Sequence, residues 1–228
     1  MKRCFMMKQI PNILTFGRLV LTVVVLAMIL YAPHVTNQTF FLDVAFVLFV
    51  ISGLTDIFDG IAARKLNVTS KFGRMMDPLV DKILVCGAFI CFALIGEPKL
   101  FNLDTVTLKV IHWLVAGILI SREAYVTALR HIAEARGINF AAITSGKIKM
   151  FTQIFAIGTV IIKMAHVQIA TWGYWFTTIT FAIMIIITVY SGLRATQRKS
   201  WKQASQSNLK IKTTKSADKG EKLKAKIY

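Results

Sequence analysis

Charged positions divide this chain into long apolar stretches, and the lengths of those stretches predict its elements. No Lys, Arg, Asp or Glu occurs between Arg18 and Asp43 or between Lys163 and Arg194, and each gap has room for one membrane-spanning helix of ~20 apolar residues. Four shorter uncharged runs lie between them, 44–55, 83–96, 110–121 and 150–162, of 12, 14, 12 and 13 residues. None reaches ~20 residues alone, so each must draw on a charged flank to complete a span. The flank follows the first run (Asp56, Asp59, Arg64), precedes the second (Asp77, Asp81, Lys82), follows the third (Arg122, Glu123, Arg130) and precedes the fourth (Lys147, Lys149). Successive antiparallel helices reverse direction, so this alternation puts all four flanks on one side of the membrane. The predicted fold is all-α, an integral membrane protein of six transmembrane helices over 12–32, 42–64, 77–97, 108–130, 145–165 and 172–194, four of which share a polar half.

Orientation follows from the loops. Those on the polar side carry Lys2, Arg3, Lys8, Lys65, Lys71, Arg74 and Arg136, whereas the opposite loops and their edges carry Lys99, Lys109 and Lys163. An excess of Lys and Arg marks the cytoplasmic face, which predicts cytosolic termini, a cytosol-facing polar cavity and, for a bacterial chain, residence in the inner membrane. The basic residues among Phe5, Met6, Met7 and Ile10 suit an interfacial amphipathic segment over 1–10. A secretory signal peptide is the competing reading of this end, but the apolar run 19–31 is long for one and no clear small-residue cleavage site precedes Pro33.

Composition sharpens the class. Of 228 residues 55% are hydrophobic and 17% charged, with a mean hydropathy of +0.60, which argues against a soluble globular enzyme. The 28 Lys and Arg against 11 Asp and Glu give +17, yet the charge sits in short stretches between apolar ones rather than on a polar surface, so no nucleic-acid partner is expected. From Arg194 to the end there are 11 basic and 2 acidic residues, and 197–228 is expected to be a basic, disordered cytosolic tail, since it cannot bury a core. Cys4, Cys86 and Cys91 have no metal-ligand or disulfide spacing and are expected to be reduced packing residues.

Four of the 11 acids, Asp56, Asp59, Asp77 and Asp81, fall in the polar flanks of two adjacent helices. Spacings of three and four residues put each pair on one helix face. A cluster of bare carboxylates at membrane depth is untenable, at a cost of at least ~2.5–3.5 kcal/mol each, and two divalent cations would resolve it. Carboxylate oxygens suit Mg2+ or Mn2+, and no Cys/His set offers a zinc site. The competing reading pairs these acids with Arg64, Lys82 or Arg74. Gly60 and Gly73 lie on the acid-bearing faces, where they permit close helix packing or the approach of a planar group to the backbone.

Taken whole, the stretch reads Asp56-x2-Asp59-Gly60-x2-Ala63-Arg64-x8-Gly73-x3-Asp77-x3-Asp81, and it resembles the signature of the CDP-alcohol phosphotransferases over a region from about residue 8 to 194. The resemblance implies the six-helix plan, two divalent metals held by Asp56, Asp59, Asp77 and Asp81, and Asp81 as general base. It further implies that Asp56, Asp59, Gly60, Ala63, Arg64 and Gly73 surround the cytidine diphosphate. The opening Pro11-Asn12-Ile13-Leu14-Thr15-Phe16-Gly17-Arg18 is similar to that of the family's bacterial phosphatidylglycerophosphate synthases, implying nucleotide-side support from Asn12, Thr15 and Arg18. Arg122-Glu123 with Ala128-Leu129-Arg130, and Gly146-Lys147-Ile148-Lys149 with Gln153, resemble further stretches of that subgroup, although Met150 stands where its pattern has Thr.

A phosphorylated acceptor agrees with the residues themselves. Arg122, Arg130, Lys147 and Lys149 supply four cations to one cavity, and a phosphate dianion would satisfy them; the competing reading is snorkelling toward the headgroups. The expected reaction is phosphatidyl transfer from CDP-diacylglycerol to glycerol 3-phosphate in a protein of the lipid bilayer that could pair as a homodimer. Serine, inositol phosphate or phosphatidylglycerol as acceptor would keep the metal and nucleotide sites. A cation-coupled transporter is the rival from another class, disfavoured because no repeated half or pair of broken helices is visible.

Overall fold

A computed structural model describes residues 2–66, 71–101, 103–135, 144–167 and 170–196, and describes the backbone alone for 2–14, 56–66, 71–78, 134, 144–145 and 147. Among the described residues there are six long helices and no strand: α1 (Lys2–Tyr31), α2 (Gln38–Leu66), α3 (Lys71–Ile95), α4 (Thr105–Ala135), α5 (Thr144–His166) and α6 (Thr171–Thr196). A single 3-10 turn over Ala32–His34 leads from α1 toward α2. Each helix coincides with one predicted apolar segment, and most overrun it. Apolarity marks the depth a segment can occupy, whereas the helix continues through polar end residues for as long as its backbone hydrogen bonds can. The N-terminal segment is continuous with α1, which is helical from Lys2 through Pro11. The tail beyond Thr196 lies outside the described residues.

The helices are apolar on their outer faces as well as in the core. On α6, Trp172, Trp175, Ile179, Ile183, Ile186 and Leu193 face outward, while Thr177, Thr180, Thr188 and Ser191 are buried. Such a surface is stable only in an apolar solvent, where small and polar residues between helices supply packing and hydrogen bonds. Among the described residues, five helices, α1, α2, α4, α5 and α6, contain stretches long and apolar enough to cross a bilayer. The first half of α3 carries Lys71, Arg74, Asp77, Asp81 and Lys82, and Val80, Leu84, Ala88, Phe89 and Phe92 of the same helix are buried.

Neighbouring helices close a ring in the order α1, α2, α5, α6, α4, α3 and back to α1, with α3 also touching α5 across it. A Cβ at Gly87 of α3 would come within 2.6 Å of the Leu26 side chain of α1, so the missing side chain allows these two helices their close approach. Cys91 is buried at the same junction, with its thiol 3.8 Å from the Leu26 carbonyl, and both Cys86 and Cys91 are free thiols.

One end of the ring is held by Asp43 of α2 against His166 of α5 at 2.8 Å and by the Thr39 hydroxyl donating to the Ala165 carbonyl at 3.2 Å. Here the buried Lys163 amine donates to the Lys99 carbonyl and lies 4.6 Å from the centre of the Tyr174 ring. The opposite end, formed by the C-terminal parts of α2, α4 and α6 and the N-terminal parts of α1, α3 and α5, holds the charged flanks.

Candidate active site

The acidic motif spans a helix, a connection and a second helix. Asp56, Asp59, Gly60, Ala63 and Arg64 lie in the last three turns of α2, and Gly73, Asp77 and Asp81 in the first three of α3. Only four residues separate Leu66 from Lys71, which keeps these helix ends within about 18 Å of one another. The side chains of Asp56, Asp59, Ala63, Arg64 and Asp77, and the surroundings of Gly60 and Gly73, lie outside the described residues, as does the Asn12 side chain.

Asp81 is described, and it is paired. Arg18 of α1, 5% exposed, donates from Nη2 to the Asp81 Oδ1. Thr15 is buried one turn before Arg18 on the same helix, and Arg18, one of the three residues expected on the nucleotide side, is in contact with the motif's last carboxylate. Arg18 was not among the partners expected for the acids. Its link to Asp81 joins residues 63 apart in sequence and depends on the packing of α1 against α3.

A second ionic cluster ties α4, α5 and α6 together. The Glu123 Oε1 accepts from the Arg122 Nη1 at 3.0 Å and from the Lys149 Nζ. Arg122 also donates from Nη2 to the Ser191 hydroxyl of α6 at 2.6 Å. Glycine at 192 leaves room for it, since a Cβ there would lie 3.3 Å from the Arg122 Cγ. Glu123 and Lys149 are buried and Arg122 nearly so. Two cations sharing one carboxylate leave the cluster a formal net +1. Of the four cations expected to bind phosphate, the structure thus brings together Arg122 and Lys149. Arg130 is exposed two turns further along α4, and the Lys147 side chain lies outside the described residues.

Glu123 had no assigned role in the sequence. Its signal was available, because it is the one acid between Asp104 and Glu134 and falls inside an apolar helix, where an ionisable residue marks function or a specific partner.

The donor set suits hard divalent cations. Four carboxylates on two helices at the polar end offer oxygen ligands. Among the described residues no three His, Cys, Asp or Glu side chains form a metal-binding group, which follows from three of the four carboxylates lying outside that set. Asp81 would take its place among ligands by sharing or exchanging Arg18.

Apolar helices that carry their charged residues at one end of the ring define an integral membrane protein with a polar end. The family model for CDP-alcohol phosphatidyltransferases matches residues 8–190, and the chain belongs to that family. It is 30% identical over 210 residues to the CDP-diacylglycerol–glycerol-3-phosphate 3-phosphatidyltransferase of Bacillus subtilis, covering 89% of this chain and 100% of the relative. Enzymes of the same name from Rickettsia felis and Wigglesworthia glossinidia brevipalpis are 32% and 31% identical over 155 and 163 residues, or 68% and 71% of this chain and 76% and 81% of theirs.

Proposed function

We propose that this protein transfers the phosphatidyl group of CDP-diacylglycerol to glycerol 3-phosphate, giving phosphatidylglycerophosphate and CMP. The observation that carries the reading is the buried Arg122–Glu123–Lys149 cluster at the same end of the bundle as the four-Asp motif. It supplies a place for an acceptor phosphate separate from the place for the nucleotide pyrophosphate.

Asp56, Asp59, Asp77 and Asp81 would hold two Mg2+ or Mn2+ ions, which when bound neutralise the pyrophosphate and the departing nucleotide. Gly60, Ala63, Arg64 and Gly73, with Asn12, Thr15 and Arg18, line the nucleotide side, and the acyl chains of the donor stay in the bilayer. Arg122 and Lys149, with Arg130 and Lys147 nearer the mouth, bind and orient the acceptor phosphate, and Arg18 holds the Asp81 carboxylate in place. Asp81 takes the proton of the free primary hydroxyl as its oxygen bonds to the β-phosphorus. The bond from that phosphorus to the bridging oxygen breaks, and CMP leaves. Positioning and electrostatics supply most of the acceleration expected for transfer at phosphorus.

The topology proposed with this chemistry has six spans, α3 crossing as the buried member, and both termini and the polar end in the cytosol of a bacterial inner membrane. The Lys and Arg at that end support the orientation. Residues 2–10 extend α1 along the headgroup region, the basic tail lies at the anionic surface, and two copies pair as a homodimer. Purified protein in detergent, given CDP-diacylglycerol, Mg2+ or Mn2+ and glycerol 3-phosphate, should release CMP; release that needs no acceptor alcohol, or none at all from folded protein, overturns the reading.

A further inference from the structure

The site contains polar side chains that the reaction as described leaves idle. Gln153 and Thr188 are both fully buried, and among the described residues neither the Gln153 amide oxygen and nitrogen nor the Thr188 hydroxyl has a hydrogen-bond partner. Elsewhere on α6 the hydroxyls of Thr177, Thr178, Thr180 and Thr196 all donate to the carbonyl four residues back, the usual resting place of a helical threonine in an apolar setting. Thr188 does not. A buried amide and hydroxyl left unmade are costly, so something absent from the bare chain completes them.

Their position says what. Gln153 follows Lys149 by four residues on α5, and Thr188 precedes Ser191 by three on α6, so each lies one turn deeper than a member of the cation cluster, on the same helix face. Measured from the helix ends opposite the site, Gln153 stands 13 residues from His166 and Asp81 14 residues from Ile95, whereas Lys149 stands 17 from His166 and Arg122 17 from Thr105. At about 1.5 Å per residue, Gln153 is level with Asp81, and the cations are about 6 Å nearer the mouth. The helices bearing Gln153 and Asp81 touch across the ring. A ligand whose phosphate rests on Arg122 and Lys149 and whose carbon chain points inward therefore presents its hydroxyls between Asp81 and Gln153.

We propose that Gln153, assisted by Thr188, is the specificity-determining pair that recognises the non-reacting hydroxyl of a short polyol phosphate, while Asp81 faces the reacting one. The inference rests on the proposed acceptor reaction and adds the reason why a polyol phosphate is preferred over a simple alcohol phosphate. A site built to hydrogen-bond a hydroxyl rejects the analogue that lacks it far more strongly than an apolar pocket rejects one methylene.

The test compares glycerol 3-phosphate with 3-hydroxypropyl phosphate, which keeps the phosphate and a free primary hydroxyl and lacks only the middle hydroxyl. In wild-type protein, kcat/KM should favour glycerol 3-phosphate by at least about tenfold. Gln153→Leu should bring the two within about threefold, chiefly by lowering the value for glycerol 3-phosphate, with the KM for CDP-diacylglycerol unchanged; Thr188→Val should narrow the preference less. Equal use of the two acceptors by wild-type protein overturns the inference without any variant having to fold. So does a preference that survives Gln153→Leu. Failure of wild-type protein to use either acceptor, with CMP released to serine or inositol phosphate instead, overturns the acceptor reading beneath it.

Discussion

Buried Arg18 and half-buried Asp81 form an ion pair that joins α1 to α3 at the polar end of the bundle. The carboxylate expected to serve both as metal ligand and as base is thereby held by a cation from the first helix. A carboxylate with two suitors, a guanidinium and a divalent ion, must divide itself between them.

Replacement of that cation should show the division. In Arg18→Ala, Asp81 loses a buried partner, and breaking such a pair costs about 3–5 kcal/mol, so metal-free protein should unfold at a clearly lower temperature than wild type. Added Mn2+ then meets a carboxylate no longer shared with Arg18, and stabilisation by a ligand grows with its affinity for the native state. The rise in unfolding temperature on adding Mn2+ to chelator-treated protein should therefore be larger in the variant than in wild type. Equal rises would mean that Asp81 takes no part in holding metal.

Asp81→Asn should abolish turnover and retain binding of CDP-diacylglycerol, because the amide can still offer an oxygen to a cation but cannot accept the proton. Single-turnover CMP release together with donor binding separates the two effects. A near-normal rate at saturating metal would transfer the base's role to another group.

Arg122 should act on the acceptor alone. Truncating one partner of a buried charged contact costs ~2–5 kcal/mol, so Arg122→Gln should raise the KM for glycerol 3-phosphate at least tenfold, at ~1.4 kcal/mol per decade, and leave that for CDP-diacylglycerol nearly unchanged. Gly192→Val, which pushes the Arg122 side chain from a contact already 3.3 Å from the position of a Cβ, should reproduce the effect in the same direction. Equal effects on both substrates would place Arg122 in the structure of the whole site rather than at the phosphate.

The helices and the acidic motif were legible in the sequence because both are written in local spacing. Gaps between charges set the apolar lengths, and the three-residue interval from Asp56 to Asp59 and the four-residue interval from Asp77 to Asp81 put each pair on one helix face without reference to packing. The partners of those charges were not legible. Arg18 finds Asp81, and Lys149 finds Glu123 26 residues away, only once the helices close their ring in the order α1, α2, α5, α6, α4, α3. No periodicity encodes that order. The cations at 122 and 149 share Glu123 as a counter-ion, as burial of two like charges requires.

Removal of residues 199–228 should leave specific activity in detergent within about twofold of wild type, since a segment of that composition cannot bury a core of its own. Loss of activity in a truncated protein with an unchanged unfolding temperature would give the tail a part in the site or in the assembly of two copies.

The most direct measurement follows the acceptor into the lipid. Glycerol 3-phosphate labelled in its carbon chain, incubated with the full-length protein, CDP-diacylglycerol and Mn2+, should pass into the organic phase as phosphatidylglycerophosphate, one label for each CMP released, and should stay in the aqueous phase when the metal is chelated. Label that remains aqueous while free serine or inositol phosphate drives CMP release would contradict the account of Arg122 and Lys149 as the acceptor's phosphate site.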